Sequence, residues 1–321
     1  PDGDFPNVPG NVSNPENPEV FASIVAHASQ AGADLAVASD PDCDRIGCSA
    51  PLTQAADAPW EILTGNQIGA LLADYILETR QKDGKLSPDH FIVSTLVTTA
   101  LTCRICESYG IRYFGDNLVG FKWIAGVIDE KGADQFLYGT EESYGYMAGT
   151  HVRDKDGAVA ALLLCELAAQ LKADGQTLHE KLEALFWQHG VHQERTVSVQ
   201  MPGSEGMQRM QEVMAQFRSD PPKEIAGTGI KQVRDYKQNL TLHSDGSTEP
   251  LERPHGDLVI LDLAEEGNYV AVRPSGTEPK IKLYMFTYEP PEQLANIDMA
   301  KEKLSERLDK MEADLRAFAG V

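Results

Sequence analysis

Three aspartates stand at every second position in the stretch ASDPDCDRIG, where they are Asp40, Asp42 and Asp44, with Arg45 directly behind them. Carboxylates at this spacing in a turning loop can converge on one hard cation that prefers oxygen ligands. A solvated acidic turn is the alternative. We favour a metal site because the aspartates follow DLAVAS, an apolar run typical of a buried parallel strand, and because Arg45 could meet an anion. The predicted ion is Mg²⁺, which keeps coordination positions for phosphate oxygens.

The calcium loop of an EF-hand does not explain these aspartates. That loop requires Gly at its sixth position and Glu at its twelfth, and this chain has Arg45 and Pro51 there. The three carboxylates are therefore expected to form an open site that awaits a phosphate.

A second candidate site is YGTEESYGYMAGTHVRDKDG, residues 138–157, in which a predicted strand runs into a loop bounded by glycines. Glu141, Glu142 and Ser143 could exchange hydrogen bonds with adjacent hydroxyls of a sugar. The basic side chains behind them, which could hold an anionic group, are His151, Arg153 and Lys155. An exposed acidic loop is the alternative. A serine hydrolase is disfavoured because the chain has no GxSxG elbow and two acids precede Ser143.

A third candidate site is VRPSGTEPKIKLY, residues 272–284, where a tight loop separates two predicted strands. Arg273, the hydroxyls of Ser275 and Thr277, and backbone amides at a glycine turn could together cradle a phosphate. An ordinary hairpin turn is the alternative. Strand alternation places Lys280 and Lys282 on one face and so concentrates positive charge there, which favours phosphate binding.

A fourth candidate is Lys122 in GFKWIAG, close to the start of a predicted helix, where an anion is favoured. A lysine that extends from an amphipathic helix into water is the alternative.

The elements that must position these motifs follow two patterns. Up to about residue 190, helical spacing alternates with short apolar strands, which predicts βαβ units. Thereafter the strands TVSVQM, LVILDL, YVAVRP and KIKLYMF mix with helices near 204–217 and 291–318. The predicted fold class is α/β, with mixed α/β sheets and flanking helices in the first two domains, plus a C-terminal α+β domain.

Composition excludes several classes of function. The chain has 28 Lys and Arg against 49 Asp and Glu, and this net charge of −21 would repel nucleic acid. We find neither an apolar run long enough to span a membrane nor a secretory signal pattern, and so expect no membrane partner. Five cysteines without the spacing of a disulfide scaffold favour a reducing, cytoplasmic location. The lone pair Cys103 and Cys106 is a weak signal for zinc or redox use.

Taken together and in order, these motifs resemble those of the α-D-phosphohexomutases, and more closely the bacterial phosphoglucomutases and phosphomannomutases. DPDCDRIG looks like the metal loop, GFKW like the lysine segment, GTEESYGY like the sugar-recognition loop and RPSGTEPK like the phosphate loop. The four motifs span nearly the whole chain. One departure is Cys43, where the family commonly has a small residue such as Gly.

The resemblance implies a role for each matching residue. It implies Mg²⁺ held by the three aspartates, and sugar hydroxyls bound by Glu141 and Ser143. The phosphate-loop residues that it implies are Arg273, Ser275, Gly276 and Thr277, with Lys155 and Lys282 as further substrate-binding residues. The catalytic residues that it implies are Arg45, Lys122 and His151.

The family also carries, in an N-terminal domain, a TASHNP-type loop whose serine is phosphorylated, and this sequence has no such stretch. We therefore expect a C-terminal part of the enzyme that lacks the phosphoserine domain. Residues 1–58 would complete the second domain with its metal loop, residues 59–190 would form the third domain with its sugar loop, and residues 191–321 the fourth with its phosphate loop.

The implied reaction interconverts hexose 1-phosphate and hexose 6-phosphate through a phosphoserine and a hexose 1,6-bisphosphate. We expect the chain alone to be inactive, because phosphoryl transfer requires the domain that carries the nucleophile. Mannose, glucosamine or pentose phosphates are alternative substrates. A non-catalytic sugar-phosphate-binding protein and a metal-dependent phosphatase that uses its first aspartate as nucleophile are alternative functions.

Overall fold

The chain forms two compact units, Pro1–His189 and Gly190–Val321, in a computed structural model that describes residues 2–203, 205–252, 254–275 and 279–321. Both units combine helices with sheets, so the predicted mixed α/β class is confirmed. None of the helices in these described residues is long and apolar enough to cross a membrane.

The first unit carries the predicted metal and sugar loops. Its helices in the described residues are α1 (Phe21–Ala31), α2 (Gly65–Lys82), α3 (Leu101–Tyr109), α4 (Phe121–Lys131), α5 (Gly157–Ala173) and α6 (Leu178–His189). Its strands there are β1 (Ala36–Ser39), β2 (Ile46–Pro51), β3 (Trp60–Leu63), β4 (Phe91–Val93), β5 (Arg112–Phe114), β6 (Phe136–Glu141) and β7 (Gly145–Ala148).

The first sheet is antiparallel, in the order β1-β2-β3. The expectation that DLAVAS forms a parallel strand is therefore wrong for β1. The reason is the connection: residues 40–45 reverse the chain at once and set Ser39 opposite Ile46, whereas parallel neighbours need a long crossover. The aspartates consequently lie in a hairpin loop and not at a strand-to-helix junction.

The second sheet has the order β5-β4-β6-β7. Strand β4 pairs parallel with both β5 and β6, and β7 pairs antiparallel with β6. Helix α4 packs on it through Phe121, Ile124 and Ile128, which contact buried residues of β4, β6 and β7. This packing fixes the GFKW segment beside the hairpin of β6 and β7, which carries the predicted sugar loop.

The second unit contains one antiparallel sheet with α7 (Gly206–Ser219) and α8 (Ile297–Ala319). Its strands in the described residues are β8 (Val191–Gln200), β9 (Glu224–Ile225), β10 (Thr228–Asp235), β11 (Leu240–His243), β12 (Thr248–Pro250), β13 (Val259–Leu263), β14 (Tyr269–Pro274) and β15 (Lys280–Glu289). The order is β12-β11-β10-β13-β14-β15-β8, with β9 paired to β10.

The core of the second unit lies between this sheet and its two helices. Ile281, Leu283 and Met285 of β15 point into that core together with Phe217 of α7 and Met311 of α8. The alternate residues of β15, which include both lysines of KIKLYMF, therefore lie on the opposite face of the sheet.

The last helix begins later than the sequence pattern predicts. The segment Pro291–Gln293 forms a separate 3₁₀ turn, and Asn296 caps α8 by accepting a hydrogen bond from the backbone N–H of Met299 (2.9 Å). This cap sets the start of α8 at Ile297.

Candidate functional site

The hairpin loop between β1 and β2 brings the three aspartates together. The backbone N–H of Cys43 donates to the carbonyl of Asp40 (3.1 Å), which closes a tight turn, and Cys43 has a φ of 58°. One carboxylate oxygen from each of Asp40, Asp42 and Asp44 lies within 4.8 Å of the others. Asp40 is 3% exposed and Asp42 is exposed, so the cluster extends from the interior to the surface.

Arg45 belongs to this loop and holds Asp40 in place. Its backbone N–H donates to Asp40 Oδ1 (3.0 Å) and its guanidinium Nε donates to Asp40 Oδ2 (2.7 Å). A second guanidinium nitrogen pairs with Glu16 at 2.8 Å. Burial opposes ionisation of Asp40, but the hydrogen bonds from Arg45 outweigh it, so the pKa of Asp40 lies below its usual value. Asp40 is thus kept as a carboxylate, the form that can bind a metal.

The donor set of the loop fits a hard divalent cation. Each oxygen ligand of an octahedral Mg²⁺ lies about 2.1 Å from the ion, so two such oxygens are about 3.0 Å apart when adjacent and about 4.2 Å apart when opposite. The three aspartate oxygens lie within 4.8 Å of one another, so a contraction of the loop around the ion would bring them to these separations. Three carboxylates would leave further positions of such an ion for phosphate or water oxygens.

The predicted sugar loop is the turn between β6 and β7. Glu141 ends β6, is 4% exposed, and accepts a hydrogen bond from the backbone N–H of Gly120, the residue that precedes α4. Ser143 lies half-buried in the turn, and Tyr144 has a φ of 64°. The GFKW segment and the sugar loop are thus joined by a buried carboxylate.

The metal and sugar loops are in direct contact. The backbone N–H of Ile46 donates to the carbonyl of Tyr144 (3.2 Å), and that of Gly157 donates to the carbonyl of Cys43 (3.1 Å). A side chain at position 157 would place its Cβ 2.5 Å from the Cys43 oxygen, so only glycine permits this approach. The first residue of α5 therefore packs directly against the backbone of the metal loop.

Lys155 lies where these two loops meet. Its Nζ is 2.9 Å from Asp44 Oδ2 and 5.5 Å from the centre of the Phe121 ring. Burial lowers the pKa of Lys155, but its hydrogen bonds to Asp44 and Asp154 outweigh this effect. The pKa of Lys155 is therefore raised above its usual value. The pKa of Asp44 is raised by burial and by the neighbouring Asp40 carboxylate, which together outweigh the hydrogen bond from Lys155.

His151 and Lys122 are nearer the surface. The imidazole of His151 is 63% exposed, and its Nε2 lies 3.3 Å from Asp156 Oδ2. The other oxygen of Asp156 accepts a hydrogen bond from the N–H of Val159 (3.0 Å) and so caps α5. Lys122 is exposed on α4, with its Nζ 5.4 Å from the centre of the Trp123 ring.

The predicted phosphate loop belongs to the second unit. Arg273 of β14 pairs directly with Lys282 of β15, so both side chains lie on the sheet face opposite the core. The backbone N–H of Ser275 donates to the carbonyl of Lys280 (2.8 Å). Gly276 and Thr277, the other residues predicted to bind phosphate, lie outside the described residues.

The supporting residues of the site, Asp156 and Gly157, were not predicted from the sequence, and neither was the link between Lys155 and Asp44. An aspartate directly before a glycine at the start of a helical pattern is a recognisable cap signal, and it could have identified Asp156. No local sequence pattern predicts the contacts between the metal loop and the sugar loop, because the contacting residues are far apart in the sequence.

Two family models match the part of the chain that carries the predicted metal and sugar loops. Residues 1–52 match the model described as phosphoglucomutase/phosphomannomutase alpha/beta/alpha domain II, and residues 64–188 match alpha/beta/alpha domain III of the same family. Together these two matches include more than half of the chain, along with the metal loop and the sugar loop. The chain belongs to the phosphoglucomutase/phosphomannomutase family of α-D-phosphohexomutases.

Among its relatives, phosphoglucomutase of Staphylococcus aureus strain N315 is 36% identical over 287 residues, which are 89% of this chain and 50% of the relative. The chain therefore spans about half the length of the relatives it matches. Two solved structures share the fold at lower identity. They are parafusin, a phosphoglucomutase from Paramecium (TM-score 0.57, 18% identity, 90% of this chain and 46% of that one), and a phosphoglucomutase/phosphomannomutase family protein from Burkholderia thailandensis (TM-score 0.55, 15% identity, 95% and 51%).

Proposed function

We propose that this chain forms the metal-, sugar- and phosphate-binding parts of a phosphohexomutase that interconverts glucose 1-phosphate and glucose 6-phosphate. The observation that carries the proposal is the direct contact between the aspartate loop and the β6–β7 hairpin, with Lys155 bridging them to Asp44. A cation site and a hydroxyl-binding loop next to each other suit a substrate that has both a phosphate and a sugar ring. Glucose is the proposed sugar because relatives at 36% identity are named phosphoglucomutases.

In this proposal the aspartates would hold Mg²⁺, which when bound offsets negative charge on the transferring phosphoryl group. Arg45 keeps Asp40 ionised and oriented. Glu141 and Ser143 would hydrogen-bond to sugar hydroxyls in either orientation of the hexose, and Lys122 and His151 would act next to the reacting groups. The non-reacting phosphate would be bound by residues of the phosphate loop and the strand after it: Arg273, Ser275, Gly276, Thr277 and Lys282. Catalysis would then rest on positioning and charge, as phosphoryl transfer requires.

In the proposed reaction a phosphoserine donates its phosphoryl group to a free hydroxyl of the hexose phosphate, and the serine then accepts a phosphoryl group back from the bisphosphate. The 321 residues contain no TASHNP-type segment, so the proposal assigns this serine to a polypeptide segment outside them. The chain alone is therefore expected to give no mutase turnover, and its activity should depend on adding that segment. Mg²⁺-dependent conversion of glucose 1-phosphate by the pure chain would contradict this assignment.

Ligand binding tests the proposal without requiring turnover. Calorimetric titration of the chain with glucose 1-phosphate, mannose 1-phosphate and glucose 1,6-bisphosphate, with and without Mg²⁺, should give saturable binding that is strongest for the glucose phosphates. Arg273→Ala should weaken it at least tenfold, because a charge-assisted phosphate contact is lost. Lys310→Ala, which removes an exposed cation of α8 in the same unit, is the matched control and should leave the affinity unchanged. Equal affinities in the two variants would argue against the phosphate loop.

The phosphatase alternative needs Asp40 as a nucleophile. Both of its carboxylate oxygens accept hydrogen bonds from Arg45, which stabilises the carboxylate and lowers its reactivity. This geometry favours a ligand role for Asp40. The mannose, glucosamine and pentose alternatives, and a non-catalytic binding role, are distinguished by the same titrations and by the activity of the chain joined to its phosphoserine segment.

A further inference from the structure

The side chain of Lys155 is held by two other segments of the first unit, the β6–β7 hairpin and α4. A Cβ built on Gly145 would lie 2.5 Å from Lys155 Cδ, so the aliphatic part of the lysine rests directly on the sugar-loop hairpin. The ammonium group lies 5.5 Å from the centre of the Phe121 ring of α4. The side chain is 21% exposed. Because the aliphatic part of the side chain is held in this way, a small rotation about its last bonds is enough to change the anion that the ammonium group contacts.

The ammonium group contacts two carboxylates, one of which belongs to a proposed metal ligand. Its Nζ lies 2.9 Å from Asp44 Oδ2 and 3.2 Å from Asp154 Oδ1. Arg45 Nε lies 2.7 Å from Asp40 but 3.7 Å from Asp44, so Lys155 is the closer cation to Asp44. A divalent ion coordinated by Asp44 would compete for this carboxylate and would repel an ammonium group a few ångströms away.

We propose that Lys155 couples metal binding to substrate binding: it neutralises Asp44 when no metal is bound, and metal binding releases it to pair with the anionic group of a sugar phosphate. This inference rests on the proposed function. The released ammonium stays next to the sugar-loop hairpin, because the packing of its stem on Gly145 does not involve Asp44. Metal and sugar phosphate should then each raise the affinity of the other by the same factor, as linkage requires.

The experiment measures metal binding directly. Free Mn²⁺ is quantified by its electron paramagnetic resonance signal during titration of the 321-residue chain, with and without saturating glucose 1-phosphate. The variants are Lys155→Met, which keeps the packing of the stem but removes the charge, and Lys155→Arg, which keeps a charge. Lys172→Met is the matched control, because it removes another lysine–aspartate pair of the same unit, the one with Asp34 at 2.7 Å. Circular dichroism and thermal unfolding establish that each variant is folded.

In the unmodified chain, glucose 1-phosphate should strengthen Mn²⁺ binding about fivefold or more, the lower end of typical coupling between sites. Lys155→Met should bind Mn²⁺ severalfold more tightly than the unmodified chain when no sugar phosphate is present, and should lose most of the enhancement. Lys155→Arg should keep the enhancement, and Lys172→Met should behave like the unmodified chain.

Two results would overturn the inference in different ways. Unchanged or weaker Mn²⁺ binding by folded Lys155→Met would mean that Lys155 does not compete for Asp44, whatever the sugar phosphate does. Tighter Mn²⁺ binding by that variant, with no binding of glucose 1-phosphate to the unmodified chain, would refute the proposed function and with it the coupling. Only the competition at Asp44 would then stand.

Discussion

Cys43 stands between Asp42 and Asp44, two of the proposed metal ligands, in a backbone conformation that suits glycine. Its φ of 58° lies in the left-handed region, which costs a residue with a Cβ about 1–2 kcal/mol. Its thiol lies 3.3 Å from the hydroxyl of Ser39, a weak contact that offsets little of this cost. The loop therefore carries local strain at the centre of the proposed metal site.

Cys43→Gly should relieve this strain. We expect the variant to be as stable as the unmodified chain or up to about 1 kcal/mol more stable, because the relief exceeds the added flexibility of glycine in the unfolded chain. Cys43→Ala keeps the Cβ and removes only the thiol, so it should bring no gain. Urea denaturation of the two variants measures the difference. A glycine variant less stable than the alanine variant would show that the thiol contact matters more than the backbone.

His90 links the stability of the first unit to pH. Its Nδ1 accepts a hydrogen bond from the backbone N–H of Ser87 (3.0 Å), which requires an unprotonated nitrogen. Burial, and secondarily the positive charge of Arg80, hold the pKa of His90 below its usual value of 6.5. The unfolded chain therefore binds a proton more readily than the folded one, so this contribution to stability is present above about pH 6.5 and is lost as the pH falls.

His90→Asn should flatten that part of the pH profile, since the asparagine oxygen can accept the same hydrogen bond without titrating. Between pH 7.5 and 5.5 we expect the melting temperature of the unmodified chain to fall more than that of the variant. Differential scanning calorimetry at several pH values provides the comparison. Identical slopes for the two proteins would mean that His90 does not contribute to the pH dependence.

At the scale of elements, the start of α5 determines how the two loops of the first unit fit together. Asp156 caps the helix, and the next residue, Gly157, donates its N–H to the carbonyl of Cys43. The Ile46 side chain also lies close to this glycine: a Cβ added at position 157 would be 3.0 Å from Ile46 Cγ2. The helix thus acts as a fixed support for the metal loop.

Gly157→Ala should push α5 away from the metal loop. Overpacking of this kind costs about 1–3 kcal/mol, and we expect weaker Mn²⁺ binding in addition to lower stability. Gly126→Ala in α4 is the matched control, because nothing lies within 4 Å of its added Cβ. The control should be stabilised by about 0.5–1 kcal/mol through better helix propensity. Equal stability changes in the two variants would contradict the close approach at Gly157.

At the scale of the whole molecule, each of the two compact units has a core of its own. In the second unit, β8 pairs with β15 from Val191↔Glu289 to Lys280↔Gln200, so this strand is an integral part of the sheet. Its core residues come from strands on both sides of the phosphate loop and from α7 and α8. A boundary just before β8 therefore keeps the sheet complete.

A protein consisting of residues 190–321 should fold by itself and unfold cooperatively, as expected of a domain-sized unit with its own core. A shorter version that begins at residue 202 lacks β8 and exposes one side of β15, so it should be unfolded or aggregate. Thermal unfolding followed by circular dichroism distinguishes the two. A cooperative transition in the shorter version, or none in the longer one, would contradict this boundary.

The finer division into domains at residues 58 and 190 remains a prediction from the sequence. The matched family models end at residue 52 and begin again at residue 64, on either side of the first predicted boundary. The change of pattern near residue 190 was visible in the sequence because parallel βαβ spacing gives way there to consecutive strands.

The sequence by itself determined the mixed α/β class, the family and the gathering of Asp40, Asp42 and Asp44. These features depend on short-range information: the periodicity of a helix, the alternation along a strand, and ligands two residues apart in one loop. The same information was sufficient to predict that Arg273 and Lys282 lie in the same region of the second unit, since one tight turn separates their strands.

The tertiary structure decided the antiparallel pairing of β1 and the support of the metal loop by α5. It also decided that Lys155 contacts Asp44 and that Glu141 holds the start of α4. Strand direction depends on the path of the connecting chain, and a contact between distant residues depends on how whole elements pack. Local residue patterns carry neither kind of information, because each partner has an ordinary sequence context until the fold brings the two together.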